Sequence, residues 1–506
     1  MNGGKTVSVS YSTALKSERL TNVRLEIQWN NIDWKTAFKN VNRLQTRITK
    51  AVKQQKWHLV KRLQYLLTHS FYSKVLAVRM VCQNKGKRTA GVDGEKWLTP
   101  EAKMNAVLIL SDKKYKAKPL RRVYIEKYGK NEKRPISIPT MHDRAMQALY
   151  ALALSPVEEI SADITSFGFR KYRSAKDACE QVFNCLCGRY SALWVLEGDI
   201  KGCFDNINHD WLLASTLMDK SILKQFLKAG FIYKRHLNPT KAGTPQGGII
   251  SPILANIALD GIADIIAGKY HQGKSGKKSR NFKKVNFVRY ADDFIVTADS
   301  DETAKEIVGV IKPFLKKRGL ELSENKTRIT HIDDGFDFLG WNFRKYNGKL
   351  LVKPSKKSID KISQRVSDII KGGKAWKQEN LIDALNPIIT GWTNYHQSVV
   401  SKDIFDKLDS KVWNMLWRWA KRRHPDKSKN WIADKYWHSK GTRKWVFSTD
   451  GGKLKRFSDT KIVRHTNLRL DRNPYLDKEY FEVRRNKLQV RKMANKAKRT
   501  GVNLNN

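Results

Sequence analysis

The feature that most limits how this chain can fold is a pair of adjacent acids set between two apolar, β-branched runs. Val285 to Tyr290 and Phe294 to Thr297 flank Ala291-Asp292-Asp293, which predicts a hairpin with the acids at its tip. Ala192-Leu193-Trp194-Val195-Leu196 reads as a nearly continuous apolar strand ending at Asp199. A sheet pairing these strands gathers two or three carboxylates at one edge. Such charges repel, and a divalent cation makes them tolerable; hard Mg²⁺ takes one or two carboxylates plus substrate phosphates. Two such ions about 3.5–4 Å apart serve phosphoryl transfer. An isolated Asp-Asp at a turn ordinarily satisfies turn chemistry alone, so the surrounding sequence has to decide.

That sequence is strongly basic: 98 Lys and Arg against 48 Asp and Glu give a net charge of +50 in 506 residues. With 29% charged and 40% hydrophobic residues, the chain is a folded protein carrying a positive field, and a polyanion is the expected partner. The basic residues are spread along the chain and no uncharged run approaches the length that spans a bilayer, so nucleic acid is expected rather than a membrane. Five cysteines without a C-x-x-C pair disfavour a disulfide framework and a zinc knuckle. These features, with no apolar leader in the first 30 residues, lead us to expect a cytoplasmic, nucleoid-associated protein of a prokaryote.

Apolar spacing from Phe38 to Val78 predicts consecutive amphipathic helices. Arg122 to Ile125 and Ile136 to Ile138 predict a hairpin lined with cations, and Asp143 to Leu154 a further helix. Beyond Pro354 helical periods dominate, with tryptophans interleaved among Lys and Arg. Residues 401–506 hold 29 basic and 11 acidic side chains, about twice the positive charge density of the rest.

Tyr290-Ala291-Asp292-Asp293 resembles the YxDD signature of reverse transcriptases, and Asp199 to Ile207 their first palm motif. Gly243-Thr244-Pro245-Gln246-Gly247-Gly248 resembles the PQG segment between them. Arg134 to Thr140 with Asp143-Arg144, and Phe167-Gly168-Phe169-Arg170 with Arg173-Ser174, resemble the fingers segments of group II intron reverse transcriptases. Gly319 to Ser323 with Lys326-Thr327, then Phe338-Leu339-Gly340-Trp341, complete the palm series in order. Gly391 to His396 and Trp413 to Pro425 resemble the thumb, or maturase, domain of group II intron proteins.

The resemblance implies an α+β right-hand polymerase with helical, basic N- and C-terminal extensions. Its expected divisions are an N-terminal extension (1–115), fingers (116–195), palm (196–345), helical thumb (346–430) and a basic DNA-binding region (431–506). It implies RNA-directed DNA synthesis by a maturase that binds its parent group II intron RNA to assist splicing and retromobility. Asp199, Asp292 and Asp293 are the implied catalytic acids, with Asp199, Asp292 and the Ile200 carbonyl holding two Mg²⁺ ions, for which Mn²⁺ could substitute. Lys127 and Arg134 would hold the triphosphate of a dNTP, Gln246 would touch it, and Phe204 would clash with a ribonucleotide 2′-hydroxyl. The partners implied are an RNA template with a DNA primer, the intron RNA and target DNA; the oligomeric state stays open.

Arg and Lys supply phosphate contacts and aromatics stack on unpaired bases. Trp413 and Trp417, four apart, are expected on a buried helix face, which leaves Trp419 with Lys421, Arg422 and Arg423 as the surface candidates. Arg484, Arg485, Arg491 and Lys492 mark a basic tail expected to contact DNA. His396 and His424 are expected to pack rather than catalyse. The paired C-x-x-C motifs of an HNH endonuclease, frequent in this family, do not occur in these residues, so second-strand cleavage by this chain is not expected. Two other readings remain: a non-polymerising RNA-binding splicing factor, for which intact acids would be superfluous, and a domesticated group II-like reverse transcriptase in defence or repair.

Overall fold

The computed structural model describes residues 22–126, 133–271 and 281–487. The periodic N-terminal region forms the helices Trp34–Lys53, Trp57–His69 and Phe71–Gln83. Asp33 caps the first by accepting from the Lys35 and Thr36 amides. Ile48, Val60 and Leu63 pack with Ala153 and Val157 of the long helix Met141–Ser161, which is buried along most of its length.

Two four-stranded sheets follow from strands β1 (Leu120–Glu126), β2 (Lys133–Ile138), β3 (Trp194–Asp199), β4 (Phe231–Tyr233), β5 (His236–Asn238), β6 (Phe287–Tyr290), β7 (Asp293–Ala298) and β8 (Arg328–His331). The basic hairpin β1–β2 belongs to a sheet of order β2-β1-β4-β5, with Ile125 opposite Arg134. Its connecting loop, and Lys127 with it, lies outside the described residues. The second sheet, of order β6-β7-β3-β8, is antiparallel throughout. Its alternation feeds two cores: Leu196, Phe294 and Val296 face one, Val195, Ile295 and Val288 the other. Packed on both faces, this sheet holds its strand ends rigidly.

The helices Ser251–Leu259 and Ile262–Tyr270 include the one stretch among the described residues long and apolar enough to cross a membrane, of mean hydropathy 1.3. Gly261 breaks it at a positive φ of 98°, and Leu254, Ala258, Ile262 and Ile266 supply the palm core instead.

Strands β9 (Phe336–Phe338), β10 (Trp341–Tyr346) and β11 (Lys349–Pro354) form a three-stranded sheet that leads into the helices Lys356–Gly372, Gln378–His396 and Lys402–Arg423. Beyond them the helical reading fails, because β12 (Trp437–Lys440), β13 (Arg443–Thr449) and β14 (Gly452–Lys453) form a small antiparallel sheet. Its hairpin signal, Trp445-Val446-Phe447 after Gly441, is obscured by the lysines around it.

His396 joins β10 to the thumb helices. Its ring lies against Trp341 and Trp392, with centroids 5.9 and 4.4 Å away. Ser358 Oγ, which accepts from the Trp392 indole, stands 3.1 Å from His396 Nε2. Burial, reinforced by Lys176, lowers the histidine to about 3, so the folded ring stays neutral where the unfolded chain, titrating near 6.5, binds a proton. Its contribution to stability is therefore complete above pH 6.5 and drains as pH falls toward 3, by about 2 kcal/mol at pH 5. Urea melts at pH 7 and pH 5 check this: between the two pH values the wild-type chain should lose about 2 kcal/mol relative to His396→Gln, whatever the other titrating groups contribute to both.

Candidate active site

The β6–β7 hairpin turns through two residues, with Tyr290 opposite Asp293 and Asp293 in turn opposite Asp199 on β3. Asp292 lies in the turn itself. Ala291 takes a positive φ of 58°, a conformation that costs an alanine about 1–2 kcal/mol and that the surroundings must enforce. They do so from beneath: the Phe167 amide donates to Arg289 O at 2.9 Å, and the Arg289 amide to Thr165 O at 3.0 Å. Gly168 comes so close that a Cβ there would stand 2.3 Å from the Ala291 nitrogen.

Behind this turn is a buried ion network. Arg289, fully buried inside a core strand, pairs with Asp260 and donates to Asn256 Oδ1 at 3.2 Å and to Ala291 O at 3.3 Å. Arg170 pairs with Glu159 and donates to the carbonyls of Asp163 and Ser166 at 2.7 and 2.9 Å, and Arg173 pairs with Glu159 at 2.8 Å. Burial foremost raises Glu158, Asp260 and Asp163 above the usual carboxylate range, and the guanidiniums of Arg170 and Arg289 oppose that rise. The sequence signal was present in Arg289, since a charge within an apolar strand must be paired, and in Asp260, which interrupts an apolar run.

The three acids lie in one another's fields. Burial, with Asp199 adding to it, raises Asp292, against the pull of Arg134 and Lys326. Asp293 is pushed up to about 6 by the surrounding protein, by Asp292 and by Asp199. Lys326 reaches Asp199 Oδ2 at 2.8 Å. Asp199 O accepts from the Ser323 amide at 2.8 Å and the Lys201 amide donates to Glu321 O at 2.9 Å, so Ile200, bridged to Leu322 between them, turns its own carbonyl away from that pairing. Among the described residues no three acidic, histidine or cysteine side chains close on a point as a finished metal cage. The donors are instead hard oxygens at an open edge, with Asp292 and Asp293 disfavoured as free anions, and this set fits a divalent cation completed by substrate.

The nucleotide-facing candidates gather nearby. Phe204, half-buried, meets Phe169 edge to face at 6.2 Å, and its carbonyl accepts from the Thr244 amide at 2.6 Å. Gln246 donates to Asp205 Oδ2 at 3.1 Å and accepts from the Ser137 amide at 2.7 Å, joining the PQG loop to β2. Arg134 is exposed on β2, near enough to pull on Asp292.

Several nucleic-acid candidates stand elsewhere than expected. Trp419 is buried, donating its indole N–H to Gly373 O at 2.9 Å with Arg423 stacked on it at 4.8 Å. The phase set by Phe405, Leu408, Val412 and Leu416 puts Trp419 on the core face, whereas Trp413, expected inside, is 38% exposed and stacks on Trp417. Arg423 donates to the carbonyls of Lys374 and Trp376 at 2.8 and 3.0 Å, while Lys421 and Arg422 remain exposed. Arg484 is buried as the partner of Asp177 and donates to Thr466 O at 2.9 Å, a structural tie that a charge count could not distinguish from a free cation. Arg485 is exposed; Arg491 and Lys492 lie outside the described residues.

An antiparallel sheet with paired strand-end acids, a basic hairpin whose Arg134 acts on one of them and a helical C-terminal part fit the plan of a right-handed polymerase. The chain matches the family models "Reverse transcriptase (RNA-dependent DNA polymerase)" over residues 125–343, "N-terminal domain of reverse transcriptase" over 29–110 and "Group II intron, maturase-specific domain" over 359–437. It is 33% identical to Protein YkfC of Escherichia coli K12 over 301 residues, 52% of this chain and 78% of that one. It is 31% identical to the group II intron-encoded protein LtrA of Lactococcus lactis over 340 residues, 56% of each chain, and so spans about half of LtrA's length. The chain belongs to the reverse transcriptases that carry a group II intron maturase domain, RNA-directed DNA polymerases whose reverse transcriptase domain uses divalent metal ions.

Two outcomes test how the acids are held. Arg289→Met strands Asp260 in the interior and should cost about 3–5 kcal/mol in guanidinium melts, part of which Asp260→Asn restores in the double variant. Gly168→Ala should lower the melt by about 1–3 kcal/mol and kcat by about tenfold or more, because its Cβ would meet the Ala291 backbone and shift the turn carrying Asp292.

Proposed function

We propose that this chain copies RNA into DNA at Asp199, Asp292 and Asp293, and that its thumb binds the parent group II intron RNA to support splicing. The observation that carries the reading is the strand register that sets Asp293 opposite Asp199 with Asp292 in the adjoining turn. Asp199 pairs with the exposed Lys326 at 2.8 Å, and among the described residues no cation stands within 4.0 Å of Asp292 or Asp293.

Asp199, Asp292 and the Ile200 carbonyl would hold two Mg²⁺ ions, with Mn²⁺ an acceptable substitute for hard oxygen donors. When bound, the cations would lower the charge on the triphosphate and on the attacking and leaving oxygens. In the reaction the primer 3′-oxygen forms a bond to the α-phosphorus of a dNTP, the α–β bridging bond breaks, pyrophosphate leaves and the hydroxyl proton passes to solvent. Arg134 would grip the triphosphate as a fork, a task that the family resemblance also gives to Lys127. Gln246 and Phe204 border the incoming sugar, Phe204 held against Phe169 where a 2′-hydroxyl would collide with it. Lys421, Arg422 and Arg485 offer exposed cations for intron RNA, for the template–primer duplex and for target DNA.

Primer extension on an RNA template with dNTPs and Mg²⁺ tests this. The wild-type chain should extend the primer, and Asp292→Ala should lose on the order of 10³-fold or more in rate while still binding RNA. Salt-sensitive RNA binding by a wild-type chain that extends no primer on several templates would favour a pure splicing factor. Phe204→Ala, if active, should narrow the preference for dNTP over rNTP by about tenfold or more; an unchanged ratio would remove Phe204 from that role.

A further inference from the structure

Between the thumb helix Lys402–Arg423 and the β12–β14 sheet lies a cavity of about 510 Å³, remote in sequence from the acids. It falls within the roughly 300–1,000 Å³ of sites that take small ligands. Three tryptophans line it: Trp413, Trp437 and Trp445.

Trp445 is 58% exposed although it lies in β13, and its φ of +62° places a bulky aromatic in the left-handed region. Trp445 stands where the β12–β13 pairing shifts register between His438↔Val446 and Lys440↔Arg443, and this bulge holds the indole on the outer face, open to a ligand. Trp413 is 38% exposed and lies parallel to Trp417 at 5.5 Å, which fixes its plane. Trp437 is buried, and its indole N–H has no acceptor among the described residues.

The charges around these rings divide into two sets. Arg443 is paired with Asp459, and Arg456 with Asp409, which also accepts from the Phe457 and Ser458 amides at 2.7 and 3.0 Å. The pocket's two acids are thereby occupied. Lys440, Lys444 and Lys453 are exposed, with no carboxylate within 4.0 Å among the described residues. Open indole faces beside unneutralised ammonium groups suit a planar base flanked by phosphates.

We infer that this cavity binds an unpaired nucleotide of single-stranded RNA, its base stacked on Trp445 and Trp413 and its phosphates met by Lys440, Lys444 and Lys453. RNA is the polymer indicated because the helix forming one wall, Lys402–Arg423, lies within the maturase-specific domain matched over 359–437. The inference deepens the RNA-binding part of the reading above and is independent of polymerase chemistry.

The test uses the full chain and a 12-nucleotide single-stranded RNA with one central 5-iodouridine. On irradiation the cross-link should map to the peptide containing Trp445 or Trp413. Trp445→Ala should weaken binding of the unmodified oligonucleotide about fivefold or more, as loss of one stacked base predicts, with an unchanged thermal midpoint. Trp445→Phe should bind within about threefold of wild type. Lys440→Ala combined with Lys444→Ala should reduce the slope of log K against log salt by about 1.4. Cross-links confined to the palm and fingers, with Trp445→Ala binding normally, would overturn the pocket and leave the polymerase reading standing. Equal affinity for single-stranded DNA of the same sequence would overturn the assignment to RNA. A wild-type chain that binds no RNA would overturn both readings.

Discussion

The acid-bearing edge of this protein depends on one buried ion pair. Arg289 lies in the strand that leads to the acid turn, and its guanidinium ties Asp260 and Asn256 on one side to the Ala291 carbonyl on the other. Desolvating a guanidinium costs several kcal/mol, and its pairing repays this only with good geometry and satisfied neighbours. Here the repayment is local: the charge is neutralised where a non-glycine residue must adopt a positive φ and present two carboxylates to a third. A purely apolar replacement would fill the same volume without supplying a donor to the strained turn.

The rest of the palm serves that turn. Both faces of the β6-β7-β3-β8 sheet are covered, so the strand ends have little freedom, and Asp199 and Asp293 are fixed opposite each other by ladder register rather than by any attraction. Lys326 on Asp199, and the fields of Arg134 and Lys357, temper the repulsion from outside. An acid triad held against its own repulsion is prepared for a cation, which is the electrostatic preorganisation that phosphoryl transfer requires.

The parts visible in the sequence were those with local causes. The runs on either side of Asp292-Asp293 had strand composition and turn chemistry, and the N-terminal helices had their apolar period, so both formed where the pattern placed them. What escaped depended on partners distant in sequence. The phase of the helix Lys402–Arg423 is set by Phe405, Leu408, Val412 and Leu416, and no spacing between tryptophans alone could show that Trp419 faces inward and Trp413 outward. Arg484 read as one more cation in a basic tail because Asp177, its partner, is 307 residues away. The β12–β14 sheet was hidden by lysines that keep its exposed strands soluble.

Asp199 and Asp292, if they share divalent cations on this edge, should each be needed for the cations to bind. Titration of Mn²⁺ into the chain bound to an annealed RNA template and DNA primer, followed by electron paramagnetic resonance, measures this directly. Protein-held Mn²⁺ is expected in the wild type, with an affinity that falls by about tenfold or more, 1.4 kcal/mol, in both Asp199→Asn and Asp292→Asn. Equal Mn²⁺ affinity in all three chains, with the duplex still bound, would contradict it.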